Sequence, residues 1–150
     1  HLLTYGHMFR VLSCAMGQNM NQALSGMDLT FAQGCILGYL DRCARPPCAK
    51  DIEEKFRLSH PTVSGLLSRM EKKGFIAQKP DPQDRRRKLC YLLPKGKQCC
   101  EALAEVIRQG DANLLTGFSP EEAARFQSYL LRAMRNVSPD FHIPEEEFTK

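Results

Sequence analysis

Ser59-His60-Pro61-Thr62-Val63-Ser64-Gly65-Leu66-Leu67-Ser68-Arg69-Met70-Glu71-Lys72-Lys73-Gly74 decides the fold, together with Pro80-Asp81-Pro82-Gln83-Asp84-Arg85-Arg86-Arg87-Lys88 shortly after it. The first stretch reads as a helix. Ser59 is an N-cap residue, Pro61 is tolerated in the first turn, and Val63, Leu66, Leu67 and Met70 follow an i, i+3, i+4, i+7 pattern. Gly74 ends it as a C′ residue. The period then changes to two. Phe75 to Lys79 and Arg87 to Leu93 read as strands, the second with Leu89, Tyr91 and Leu93 on one face, joined by a two-proline turn. Upstream, Ala49 to Arg57 carries Ala49, Ile52 and Phe56 on one side and reads as a short helix. A helix-turn-helix is thus followed directly by a β-hairpin with a basic tip.

With Val63, Leu66, Leu67 and Met70 buried, the opposite face of that helix is His60, Pro61, Thr62, Ser64, Gly65, Ser68, Arg69, Lys72 and Lys73. It is small near the N-terminus and basic toward the C-terminus, which suits first turns that enter a major groove about 12 Å wide. The hydroxyls of Thr62, Ser64 and Ser68 can bond phosphates or base edges, and Arg69 suits a guanine edge or a phosphate. The free N–H groups at the Ser59 end favour a phosphate. Arg85-Arg86-Arg87-Lys88 is self-repelling and adds nothing to a core, so it makes sense where an anion takes up the charge. An arginine at such a tip suits a narrow minor groove, with Asp81 or Asp84 holding it in an extended pose.

The flanks are helical. Phe9, Leu12, Met16, Met20, Ala23, Leu24 and Met27 recur at three- and four-residue steps over about 4–25, with Gly26 as the expected stop. Thr30 and Gln33 form a capping box for a second helix with Ile36, Leu37 and Leu40 inward, broken by Arg45-Pro46-Pro47-Cys48. Helix returns from about Lys95 to Gly117 with Leu103, Val106 and Ile107 as its stripe and Gly110 as a point of bending. Ser119-Pro120-Glu121-Glu122 caps a last helix that Ser138-Pro139 stops. The acidic tail from Asp140 to Lys150 is expected to be loosely held.

Hydrophobic residues at 43% and charged residues at 25% exclude disorder, and 150 residues are enough for a self-sufficient core. No apolar run approaches the roughly 18 residues of a membrane helix, and the N-terminus lacks the pattern of a signal peptide. The seven cysteines include no Cys-x-x-Cys pair, so a reduced cytoplasmic chain is expected, its thiols mostly small core hydrophobes. Charge is uneven. Residues 41–100 hold 15 Lys/Arg against 7 Asp/Glu, while the rest of the chain is net acidic. A basic segment inside a folded domain is the footprint of a polyanion site.

These residues resemble the MarR family of winged helix-turn-helix regulators. The matching pieces are Leu29-Thr30-Phe31-Ala32-Gln33, the helix from Ser59 to Gly74, the wing Asp81-Pro82-Gln83-Asp84-Arg85-Arg86-Arg87-Lys88-Leu89, and Leu92-Leu93-Pro94-Lys95-Gly96. The resemblance covers about 5–137. It implies a mainly α fold with a small β-hairpin (α+β), one MarR-like domain over 1–150. A winged lobe at 31–93 would be joined to dimerisation helices at 4–25 and 95–137. It makes Arg86 the minor-groove arginine and Asp84 its orienting partner, within a DNA-binding set of Ser59, His60, Pro61, Thr62, Ser64, Gly65, Ser68, Arg69, Lys72, Arg85, Arg86 and Arg87. It further implies a homodimer on a pseudo-palindromic double-stranded operator with half-sites about 34 Å apart. The commoner mode is repression. Release would come from a phenolic or lipophilic anion bound between the dimer helices and the DNA-binding lobe, or from thiol oxidation.

Two positions depart from the family pattern: Pro94 replaces a Thr, and Cys48 stands where a Ser or Thr cap is expected. The peroxide-sensing branch has its cysteine near the start of the first helix, whereas Cys14 lies well inside it. For a cysteine-based sensor the candidates are Cys99-Cys100 and Cys43/Cys48, the last two near Arg42 and Arg45. His7 and Arg10 are the candidates to pair with an anionic effector. Four histidines, at 1, 7, 60 and 142, with no Ser-His-Asp order, phosphate loop or metal motif, speak against an enzyme, and no cofactor or metal is expected.

Overall fold

A computed structural model describes residues 3–140. The chain forms α1 (Tyr5–Gly26), α2 (Phe31–Arg42), α3 (Ala49–Phe56), α4 (His60–Lys72), β1 (Ile76–Pro80), β2 (Lys88–Leu92), α5 (Pro94–Leu114) and α6 (Pro120–Val137). Two compact units result, residues 1–110 and residues from Asp111 onward. The acidic tail beyond Asp140 lies outside the described residues. The fold is mainly helical with one small hairpin, and no described helix is long and apolar enough to cross a membrane.

In the first unit, the buried stripe of α4 packs on Ile36 and Leu37 of α2, Ile52 of α3, and Phe75 and Ile76 at the hairpin. The helix ends follow local chemistry. Thr30 and Gln33 exchange hydrogen bonds in a capping box, Gln33 N–H to Thr30 Oγ1 at 3.2 Å and Thr30 N–H to Gln33 Oε1 at 3.1 Å. That exchange satisfies the buried Gln33 amide oxygen. Cys48 accepts nothing as a cap. Instead Asp51 Oδ2 accepts the Cys48 N–H at 2.9 Å and its thiol at 3.2 Å, and these bonds hold the Asp51 carboxyl below its usual range.

Two expectations are corrected. α1 runs through Gly26, and the left-handed residue that stops it is Asp28, at φ 57°, with Leu29 N–H bonding back to Leu24 O at 2.9 Å. A short polar side chain tolerates that conformation, so glycine is not required. In β2 the core-facing residue is Cys90, 1% exposed, whereas Leu89, Tyr91 and Leu93 are half-buried. β1 and β2 pair antiparallel with Ile76 opposite Leu92 and Gln78 opposite Cys90. The face shared with Ile76 meets the helices, where space suits a thiol, and Tyr91 turns outward under Lys79, whose Nζ lies 5.5 Å from the ring centre.

A short third edge was not foreseen. Cys48 bridges to Leu89, and Cys90 N–H donates to Pro47 O at 2.8 Å. Gly74, at φ 81°, closes α4 as expected. Lys95 Nζ then donates to Lys73 O at 2.7 Å and lies 4.7 Å from the centre of the Phe75 ring. α5 therefore begins against the end of α4, and Gly96 is the point of closest approach. A methyl on Gly96 would sit 2.4 Å from Phe75 O. Gly96→Ala is expected to cost about 2 kcal/mol, near 6 °C in a thermal melt. An unchanged melting temperature would contradict this packing.

Candidate nucleic-acid interface and cavity

Ser59, His60, Pro61, Thr62, Ser64, Ser68, Arg69 and Lys72 are all exposed along one face of α4, with Gly65 half-buried among them. The cap is tight. Ser59 Oγ accepts the Thr62 N–H at 3.4 Å and lies 2.8 Å from Thr62 Oγ1. His60 Nδ1 stands 2.5 Å from Glu53 Oε1, which ties α4 back to α3. A Cβ built on Gly65 would lie 3.4 Å from Arg69 Nη1, so the Arg69 guanidinium folds back over the gap that Gly65 leaves.

The wing separates its arginines. Asp81 is buried, at 4% exposure, and its Oδ2 accepts Arg87 Nε at 2.7 Å while Oδ1 accepts the Gln83 N–H at 2.9 Å. The backbones close the same loop, Asp81 N–H donating to Arg87 O at 2.9 Å. The Gln83 amide and then the Arg87 guanidinium hold the Asp81 carboxyl below its usual range. Asp84 acts differently: its Oδ1 accepts the Arg86 N–H at 3.1 Å, so it sets the Arg86 backbone rather than the guanidinium. Arg87 is thus the strut of the wing. The guanidinium groups of Arg85 and Arg86 have no carboxylate partner among the described residues. Of the open choice between Asp81 and Asp84, Asp81 is the one that makes the side-chain ion pair.

His7 and Arg10 are exposed one turn apart on α1 and bond to each other, His7 Nδ1 to Arg10 Nη2 at 3.3 Å. Neither lines a cavity of about 370 Å³ that opens among α1, α2, α3 and α5. Met20, Phe31, Cys35, Phe56, Leu103 and Ile107 supply its apolar wall, and Asp41 and Arg42 its charged edge. Asp41 is taken by Lys97 Nζ at 2.6 Å. The resemblance implied a pocket between the dimerisation helices and the DNA-binding lobe, but the sequence reading did not name the residues that line this one. The available signal was Gly34 and Gly38, four apart on α2. A Cβ on Gly34 would strike Leu24 Cδ2 at 2.8 Å, and one on Gly38 would meet Arg42 Nη1 at 3.5 Å.

Burial pushes the thiols of Cys35 and Cys99 up, and those of Cys90 and Cys100 up to about 11. Of the seven, Cys14 alone is fully exposed.

Comparison with known proteins bears on this geometry. Residues 27–87, from the end of α1 through the wing, match the model of the MarR family. The transcriptional activatory protein BadR of Rhodopseudomonas palustris is 31% identical over 134 residues, covering 86% of this chain and 77% of BadR. The chain belongs to the MarR family. It is a DNA-binding transcription regulator and not an enzyme. A crystal structure of the S. aureus MepR–DNA complex superposes with a TM-score of 0.77 at 31% identity, covering 89% of this chain and 100% of that one. S. aureus MepR bound to ethidium bromide superposes at 0.71, also at 31% identity, covering 91% and 98%. For this MarR-family chain the winged helix-turn-helix is α3, α4 and the β1–β2 hairpin.

Gly65→Ala separates stability from binding. Alanine gains about 1 kcal/mol of helix propensity, and the atom it meets ends a flexible side chain. Thermal stability should rise slightly; if α4 meets DNA through this face, the added methyl should also lower DNA affinity, and equal or tighter binding would show that it does not. At Asp81 the bonds favour the carboxylate, so the strut is intact at neutral pH and is lost only as the pH falls through a value below the free aspartate pKa near 3.9. An NMR titration of the Asp81 carboxyl carbon should show that lowered midpoint. In Asp81→Asn the Gln83 amide should lose protection from hydrogen exchange.

Proposed function

We propose that this regulator acts as a homodimer on a pseudo-palindromic operator, represses transcription there, and lets go when a lipophilic anion occupies the cavity. The observation that carries the DNA-binding part is the wing: one buried carboxylate immobilises Arg87, while the exposed Arg85 and Arg86 have no carboxylate partner among the described residues. In this reading α4 enters the major groove and Arg86 the minor groove, where narrow segments attract arginine. Asp84 orients Arg86 through its backbone.

The homodimer rests on uncovered apolar surface. Tyr5, Phe9 and Val11 of α1 are 78%, 47% and 52% exposed, and Tyr129 and Val137 of α6 are 59% and 85% exposed. Stripes of this kind at both chain ends mark an interface, because a monomer rarely leaves large contiguous apolar patches in water. The effector reading rests on the cavity. An apolar wall takes a lipophilic body, and Arg42 at its edge favours a negative head. Its walls come from α1, α2, α3 and α5, so a ligand wedged there changes how these helices carry the DNA-binding elements. Cys48, Cys99 and Cys100 are buried and Cys43 is half-buried, and burial pushes the Cys99 and Cys100 thiols up, which favours a bound effector over cysteine oxidation as the release signal.

Selection of bound sequences from random duplex DNA, with the mass of the purified chain measured by sedimentation, tests the main claim. A palindrome with half-sites one helical turn apart and a two-chain mass are expected; a monomer or an unstructured sequence preference would refute it. On the selected operator, Arg86→Ala should lose about tenfold or more in affinity. An aromatic carboxylate should release the operator from the wild type at lower concentration than from Arg42→Ala, and mild peroxide should leave binding unchanged. A promoter reporter that rises on deletion of the protein supports repression, and one that falls overturns it.

A further inference from the structure

We propose that Arg57, in the turn between α3 and α4, is a further DNA-backbone contact, one that the motif does not point to. The inference rests on the DNA-facing orientation of α4 proposed above. Arg57 is the C-cap of α3 and sits at φ 52°, ψ 46°, in the left-handed region. Among the described residues only Asp28 shares that trait without being glycine. The two differ in circumstance. Asp28 has a short side chain that tolerates this backbone, and Lys73 Nζ donates to its carbonyl oxygen at 2.6 Å and lies 3.5 Å from its carboxylate. Arg57 has neither excuse. Its side chain is long and exposed, and its guanidinium makes no hydrogen bond or ion pair among the described residues.

The missing partner is informative because two carboxylates precede Arg57 near the end of α3. Glu53 and Glu54 precede Arg57 by four and three residues, the spacings at which helical ion pairs form. Glu53 is committed to His60 Nδ1 at 2.5 Å, and Glu54 makes no pair with Arg57. Glycine would fit this backbone without strain and asparagine with little. An unpaired cation on a strained backbone adds nothing to the fold, and strain of this kind is retained where a side chain has work outside it. Position supports an outside partner beside α4: Arg57 lies two residues before Ser59, and Glu53 bonded to His60 holds the end of α3 against the first turn of α4. A phosphate of the strand that flanks the groove is the anion such a guanidinium would meet.

Affinity for a random-sequence duplex of about 30 base pairs, measured by fluorescence anisotropy between roughly 50 and 200 mM salt, tests this alongside thermal melts. Variants Arg57→Gly, Arg57→Asn and Arg57→Lys are compared with the wild type, whose own binding checks the reading beneath. Arg57→Gly should melt about 3 °C higher, through relief of the backbone. Arg57→Gly and Arg57→Asn should each bind about fivefold more weakly per protomer at 0.15 M salt, with the slope of log affinity against log salt reduced by about 0.9. Arg57→Lys should keep most of the affinity and the full slope. If the glycine and asparagine variants bind with wild-type affinity and slope, or the lysine variant loses as much as asparagine, the contact is refuted even though the wild type binds DNA. If the wild type does not bind the duplex, both readings fall.

Discussion

Four consecutive cations at a hairpin tip repel one another, and one buried anion, Asp81, pairs with one of them at the root of the turn. Its carboxylate is buried between the Gln83 amide and the Arg87 guanidinium, while the Asp81 and Arg87 backbones bond across the base of the loop. One of the four cations is thereby neutralised internally. The remaining charge is left exposed on a loop whose base is closed by its own hydrogen bonds. A loop backbone fixed in advance loses less freedom on binding, so more of any phosphate attraction would remain as affinity.

The same economy governs the helix-turn-helix. Glu53 binds His60, Ser59 caps α4 together with Thr62, and Lys95 covers the carbonyl that ends α4 and stacks on Phe75. Polar groups at both ends of α4 are therefore occupied by neighbours in the lobe. Its exposed middle is left with small residues and hydroxyls. A helix held at both ends and small in the middle can approach a nucleic-acid surface closely without its own ends fraying.

The cavity and the cysteines show where local reading stops. The caps at Thr30, Ser59 and Ser119, the buried stripe of α4 and the left-handed Gly74 are each set within a few residues, and all were legible. The inward face of β2 was not. Tyr91 and Leu89 are the larger side chains, yet Cys90 faces the core, because the register with β1 and the room beside the helices decide the face. Nor was the wall that Cys35, Phe31 and Phe56 share, since these residues come from separate helices and meet only once the chain has folded.

Periodicity, caps and the arginine run by themselves determined the order of elements, the exposed face of α4 and a basic hairpin, because each depends on residues within a turn or two of one another. Tertiary structure alone decided which arginine is the strut and which two are unpaired. It also decided that Asp84 holds a backbone amide while Asp81 holds a side chain, and that Arg57 stays without a partner although two glutamates precede it. Those outcomes turn on distances between groups that compete for the same partner, and a linear sequence carries the competitors without the distances.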